Sequence, residues 1–345
     1  MIEIFSIILQ TLIFFVMFSF PFNEKVLDKT FNLKKVKFQL IDSHAINIIF
    51  FSYICLVVSL LGINLKTFFK IYLTLSLIYI LFNFKWFLTK IKKDDFIKFI
   101  FFFLIAFSIF IFIAQNIKLE WDGHVWISKA LVFLNGEKII NLNETLHPDY
   151  PYLGTYLWAF FWGNSYLELE YFGRYFYVYF YLISLFLILE ICNIKNNYLK
   201  ISLILFLILL SFEPYYFAGY QEYLIFSTLI IASKYIYIHQ QDNKKNIKLM
   251  LMIFLILYLN SWFKNEGEVY FLIFSIPLIY LASLKNNKKL LLILFIIILM
   301  IIKYAVDKYF IKDFTSQGTE HLFYFLQNLG DIKYLVIKTS KILLN

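Results

Sequence analysis

Apolar runs recur from one end of this chain to the other, most of them about 20 residues long, the length a helix needs to cross the hydrocarbon core of a bilayer. Ten such runs read as spanning helices: 2–22, 44–63, 67–84, 97–115, 172–192, 200–212, 223–239, 247–262, 268–284 and 290–306. A soluble domain of 345 residues has no use for 61% hydrophobic and only 16% charged residues, or for a mean hydropathy of +0.73. Runs such as Ile201 to Leu210 do not alternate polar with apolar, which excludes a transmembrane barrel. The fold class expected is all-α: one polytopic membrane domain over 1–345, with juxtamembrane helices in a first large outer loop and no separate soluble domain. The first run, Ile2 to Phe22, lacks a basic leader and a small-residue cleavage site and reads as a retained helix. Cys55 and Cys192 both lie inside apolar runs, so neither a disulfide framework nor a metal cluster follows from them.

The net charge of +9 does not point to nucleic acid, because the lysines stand in clusters between the apolar runs, where they mark cytoplasmic loops. Lys25, Lys29, Lys34, Lys35 and Lys37 mark the first loop; Lys85, Lys90, Lys92, Lys93 and Lys98 the third. Lys195 and Lys200, then Lys244, Lys245 and Lys248, then Lys285, Lys288 and Lys289 mark later ones. These votes agree if the short run Leu153 to Trp162 does not cross but lies as a juxtamembrane or re-entrant helix. The lysines after Lys303 alone stand against the scheme. The opposite loops, 116–171, 213–222 and 264–268, then hold eleven of the 23 acidic residues.

Four polar islands fall in those loops: Trp121-Asp122-Gly123-His124, His147-Pro148-Asp149-Tyr150-Pro151, Gly219-Tyr220-Gln221-Glu222 and Lys264-Asn265-Glu266-Gly267. Residues 122–134 read as a helix that puts Asp122, Trp126, Lys129 and Phe133 on one face. Asp122 has two readings, a helix cap or a catalytic carboxylate. The two prolines around Asp149 fix a turn, in which His147 is structural or an acid, base or ligand. His124 is equally open. Glu222 opens the next helix and either steadies its dipole or contacts an acceptor or metal. Lys264 either forms a structural Lys–Glu pair or binds phosphate, since charges so near hydrocarbon pair or serve function. Of 32 basic residues only Arg174 is arginine. Its planar fork suits a phosphate, against a plain reading as a snorkelling side chain.

Taken in order, Trp121-Asp122, Trp126, Lys129-Ala130 and His147-Pro148-Asp149-Tyr150-Pro151 resemble the first outer loop of GT-C glycosyltransferases. The likeness is to the branch of protein O-mannosyltransferases and lipid A aminoarabinose transferases. Gly219-Tyr220-Gln221-Glu222 is similar to a Gly-Tyr-Ala-Asp segment, and Lys264-Asn265-Glu266-Gly267 to a Lys-Asn-Glu-Gly segment, of bacterial members. The resemblance covers roughly 116–270. It implies inverting transfer of a sugar from a polyprenyl-phosphate carrier to a glycolipid or protein acceptor, on the extracytoplasmic face of a bacterial inner membrane. Asp122 takes the base position and Glu222 the second acidic one, with His147 and His124 as further acceptor or metal contacts. Arg174 and Lys264 are the expected donor-phosphate contacts, and Glu266, Trp126, Lys129 and Tyr220 support them. Mg²⁺ or Mn²⁺ would be held, if at all, by Asp122 with Glu222. The rivals are a polysaccharide polymerase or O-antigen ligase, which generally uses several arginines, and a transporter or flippase, which places polar groups midway along its helices.

Overall fold

The residue series Tyr171–Leu189 (α7) carries apolar or aromatic side chains on nearly every face, and a helix hydrophobic all round belongs in the middle of a bundle. The computed structural model puts it there. It describes residues 2–33, 37–85, 101–102, 104–112, 118–119, 121–192, 194, 196–213, 217–242 and 246–311, with Ile2, Trp121, Asn197 and Asp242 as backbone only. The regular structure among these residues is helical throughout. Against α7 pack Leu40–Leu61 (α3), Leu153–Gly163 (α6), Asn197–Ser211 (α8) and Glu222–Asp242 (α9). Outside them lie Ile2–Met17 (α1), Leu65–Phe82 (α4), Trp121–Leu134 (α5), Ile247–Tyr258 (α10), Asn260–Phe263 (α11), Glu266–Leu281 (α12) and Asn286–Phe310 (α13). A short helix, Glu24–Phe31 (α2), buries Leu27 and packs against α3 and α10. Of the expected span 97–115 only helical residues between 101 and 112 are described, and Glu120, Pro214, Tyr215, Tyr216 and the lysines after 311 lie outside the described residues.

Four of the described helices are long and apolar enough to cross a membrane: Leu40–Leu61, Leu65–Phe82, Tyr171–Cys192 and Asn286–Phe310. Glu3–Met17, Tyr198–Ser211 and Ile247–Phe263 are apolar but shorter. The chain is therefore an all-helical protein with the features of an integral membrane protein.

Contacts between helix ends sort the bundle into two ends. At one, Lys66 pairs with Glu168 at 2.7 Å, Phe5 meets Tyr166 edge-on, and Asn143 Nδ2 donates to the Phe310 carbonyl at 3.0 Å. At the other, Asn23 donates to the Tyr79 hydroxyl at 2.7 Å and Asn246 to the Phe31 carbonyl at 2.8 Å. There the buried Lys234 ammonium donates to Asp42 at 2.6 Å, joined by the Tyr235 hydroxyl at 3.1 Å. The described loop lysines 25, 29, 37, 248, 285, 288 and 289 flank this second end, while all four islands flank the first.

Helix α6 decides how the first loop sits. Its 11 residues rise only about 16 Å, roughly half a bilayer core. Nearly every one is buried, against α3, α4, α5, α7 and α11. The helix is therefore a short wedge enclosed by its neighbours rather than a segment with one open face. Phe160 and Phe161 carry this wedge into an aromatic core, with Phe161 stacked on Phe176 at 4.7 Å and edge-on to Phe14 at 4.8 Å.

The two-ended arrangement has a direct check. In a Cys55→Ser, Cys192→Ser background, Glu144→Cys and Asn287→Cys, both at exposed positions, are expected to react with a membrane-impermeant maleimide from opposite sides of sealed vesicles. Labelling of both from the same side would refute the antiparallel order.

Candidate functional site

Gly123 is the contact point between the first and third islands. A Cβ on it would lie 2.1 Å from the Ala218 carbonyl oxygen, and one on Gly219 would lie 2.9 Å from the Gly123 Cα. Gly219 also has φ +99°, a conformation that disfavours any residue with a Cβ. Only glycine at both positions lets the start of α5 press onto the 217–219 loop. Gln221, fully buried, fixes that loop by donating to the Gly219 carbonyl at 3.2 Å and to the Tyr177 hydroxyl at 3.1 Å. Asp122 therefore stands, half-buried, in the first turn of α5, directly before this contact. A carboxylate is electrostatically favoured there by the helix dipole.

The fourth island joins through Lys264. The helical run from Ile247 ends at Phe263, and Lys264 takes an extended backbone before α12 begins. Its Nζ turns back to donate to Glu222 Oε1 at 2.6 Å and lies 3.8 Å from Glu266 Oε1. Burial lowers the affinity of Lys264 for its proton most strongly, but Glu222, Glu266 and Asp122 together outweigh that and hold it above the ordinary lysine value. Asp122, Glu222, Glu266 and Lys264 thus share one electrostatic neighbourhood. The other Glu222 oxygen, Oε2, is buried with no hydrogen-bond partner among the described residues. A carboxylate oxygen accepts up to two hydrogen bonds, so this atom is under-satisfied by the described residues.

The second island closes the site's rim. Tyr150 N–H donates to the His147 carbonyl at 3.1 Å, with Pro148 where its fixed φ favours such a turn, and His147 itself sits at φ +51°. The imidazole is exposed and stacks on the Tyr150 ring at 5.0 Å; Trp126 packs on the same ring at 5.6 Å. The Tyr150 phenol is raised above its ordinary value, by burial first and then by Asp149, Asp122 and Glu266, with Lys264 opposing. Tyr150, which in the sequence is part of a proline-fixed turn, thus feels Asp122 and Glu266, as Lys264 does. The signal for this in the sequence was its place one residue after Asp149.

Not every expected residue faces this neighbourhood. The Arg174 fork, 4% exposed, is engaged within the protein: Nε and one terminal nitrogen donate to the two Glu170 oxygens at 2.8 and 2.7 Å, and the other to the Phe217 carbonyl at 2.9 Å. It therefore holds the 217–219 loop, and the expected phosphate grip would have to displace Glu170. His124 is exposed on α5, and Tyr220 is half-buried between Gly219 and Gln221. The Asp122–Glu222 pair is a poor fit to Mg²⁺ or Mn²⁺, because an ammonium already occupies one Glu222 oxygen. No three His, Cys, Asp or Glu side chains among the described residues form a metal-holding group.

A second charged group lies beside the site and was missed from sequence. Lys303, 3% exposed, bonds Asp307 one turn on in α13 and lies 3.8 Å from Glu268 of α12, with its ammonium 5.0 Å from the centre of the Trp262 ring. The Lys303-x-x-x-Asp307 spacing inside an apolar run, which places opposite charges on one helix face, was the available clue.

The loop-holding role of Arg174 makes a prediction. Arg174→Lys loses the two-pronged bond to Glu170 and is expected to lower unfolding stability by about 1.5–3 kcal/mol, the range for hydrogen bonds to charged groups. Thermal unfolding in detergent measures it, and an unchanged midpoint would contradict the role. No protein-family model, curated protein or solved structure matches this chain.

Proposed function

We propose that the chain is an integral membrane glycosyltransferase of the GT-C kind. In this reading it moves a sugar from a polyprenyl-phosphate carrier to a glycolipid or protein acceptor, with inversion, at the extracytoplasmic face of a cell membrane. The ten-span arrangement, with the lysine-flanked end cytoplasmic and the island-flanked end outside, belongs to the same reading. The observation that carries it is the pairing of Lys264 with Glu222 beside Glu266, close enough to Asp122 for that carboxylate to act on the same ammonium, at one end of an apolar bundle.

The chemistry follows from those groups. Asp122 accepts the proton of an acceptor hydroxyl as its oxygen attacks the anomeric carbon from the face opposite the phosphate. The bond from the anomeric carbon to the phosphate oxygen breaks, and its electron pair leaves with the polyprenyl phosphate. Lys264, charged at neutral pH, neutralises that leaving group as its charge develops. Glu222, whose side chain is partly open, accepts a hydrogen bond from a sugar or acceptor hydroxyl. A lipid-borne donor also accounts for a polar site set at the end of helices whose outward faces are leucine, isoleucine and phenylalanine. The charges of α13 support this over a transporter, since Lys303 and Asp307 lie in its last third, at the site's end of the bundle.

The test is turnover by the full chain in proteoliposomes, supplied with undecaprenyl-phosphate-linked hexoses and pentoses and read as release of undecaprenyl phosphate. Asp122→Asn is expected to cut the rate by roughly 10²–10⁴-fold, the usual worth of a general base, and Lys264→Met by about 10²–10³-fold. Release from none of these donors, or full activity in Asp122→Asn, would overturn the proposal.

A further inference from the structure

Lys129 lies on α5 two turns below Asp122, and its side chain is fully buried. An ammonium in such a place usually has a carboxylate within reach, yet its hydrogen bonds run to backbone. Nζ donates to the Tyr150 carbonyl at 2.6 Å and more weakly to the Pro148 carbonyl at 3.4 Å. It also lies 5.9 Å from the ring centres of both Trp126 and Tyr150, which suits a cation shared between two aromatic groups. One side chain thus fastens both ends of the Pro148–Tyr150 stretch to the helix that bears Asp122. The groups facing it are Asp149 from the turn and Lys303 and Asp307 from α13; burial is the strongest influence and lowers its proton affinity to about 7.

Resting on the transferase reading, we infer that Lys129 is a positioning residue: it sets the His147–Tyr150 turn over the Asp122–Lys264–Glu222 neighbourhood, so that the Tyr150 hydroxyl contacts the sugar-bearing substrate there. The Tyr150 ring is already covered by His147 and Trp126, so the hydroxyl rather than the ring face is what the residue presents. Its phenol senses Asp122, Glu266 and Lys264, which places it at the rim of the cluster. Among the described residues, the turn is otherwise held by its own Tyr150–His147 backbone bond and the tilted packing of Tyr150 against Trp126.

The experiment separates this placement from the transferase reading. The full chain in nanodiscs carries 3-fluorotyrosine at position 150, and its fluorine resonance is titrated with base. The wild-type midpoint is expected above that of a solvent-exposed fluorotyrosine, and Asp122→Asn is expected to lower it. Lys129→Met is expected to bring it close to the exposed value, and Lys129→Arg, which keeps charge and donors, to leave it elevated. An unchanged midpoint in Lys129→Met overturns the inference whatever the protein's activity. In the undecaprenyl-phosphate release assay, Lys129→Met and Tyr150→Phe are each expected to lower kcat/KM about tenfold or more. Their double variant is expected to be no worse than the poorer single one, as for two residues acting through one contact. Additive losses, or a shifted midpoint with full activity, overturn the role in the site. If the wild type releases nothing from any donor, the transferase reading fails and the substrate role of Tyr150 falls with it, while the midpoint still decides whether Lys129 places the turn.

Discussion

Helix α7 imposes the constraint on which the rest depends: a rod with almost no polar face has to be surrounded. The helices around it satisfy that demand with aromatic packing, and several of the polar atoms they bring inside find partners across helices. The Tyr175 hydroxyl meets Thr11 at 2.5 Å, and the Tyr53 hydroxyl donates to the Leu255 carbonyl at 2.6 Å. In lipid, apolar surface alone gives little reason for one helix to prefer another. Such hydrogen bonds and ring contacts therefore select which helices are neighbours. The same pressure drives charges toward the ends, where they either pair or remain for chemistry.

The charges sort into those two groups by what each side chain touches. Lys234 with Asp42, Arg174 with Glu170, and Lys303 with Asp307 are buried pairs that tie one element to another or to itself. Removing one partner of such a pair strands a charge away from water, which costs far more than the pair contributes. Lys264 and Glu222 differ, since both keep part of their surface open and one carboxylate oxygen has no hydrogen-bond partner among the described residues. That openness is what the proposed site rests on.

Much of this was legible from residue order alone. The helix over 122–134, the short helix over 153–162 and the ends of most expected spans fall within a few residues of α5, α6 and their neighbours. The clustering of lysines away from the islands matches the two ends of the bundle. Partnerships across the chain were not legible. Glu170 and Arg174 stand one turn apart, but that the fork would also take the Phe217 carbonyl depends on where the 217–219 loop lands, which two glycines decide by contact. Nor was the bond legible that Thr228 of another helix donates to Asn260, just after the interruption at Leu259 inside the run 247–262. Lys129 looked like one member of a helical stripe, and its role emerges only when the turn twenty residues later folds back over it.

The burial of α6 has a consequence for how the protein is made. A nascent chain that has emerged only as far as Gly163 already holds α3, α4 and α5 but has no α7, and the wedge then has nothing to lean on along one side. Its aromatic faces, ready in the chain, must wait for some twenty further residues of synthesis before they are covered. Biogenesis of this bundle therefore passes through a stage in which a short helix buried in the finished fold lacks its cover on one side. A cell that makes the protein has to shelter that segment, in the insertion machinery or against lipid, until α7 arrives.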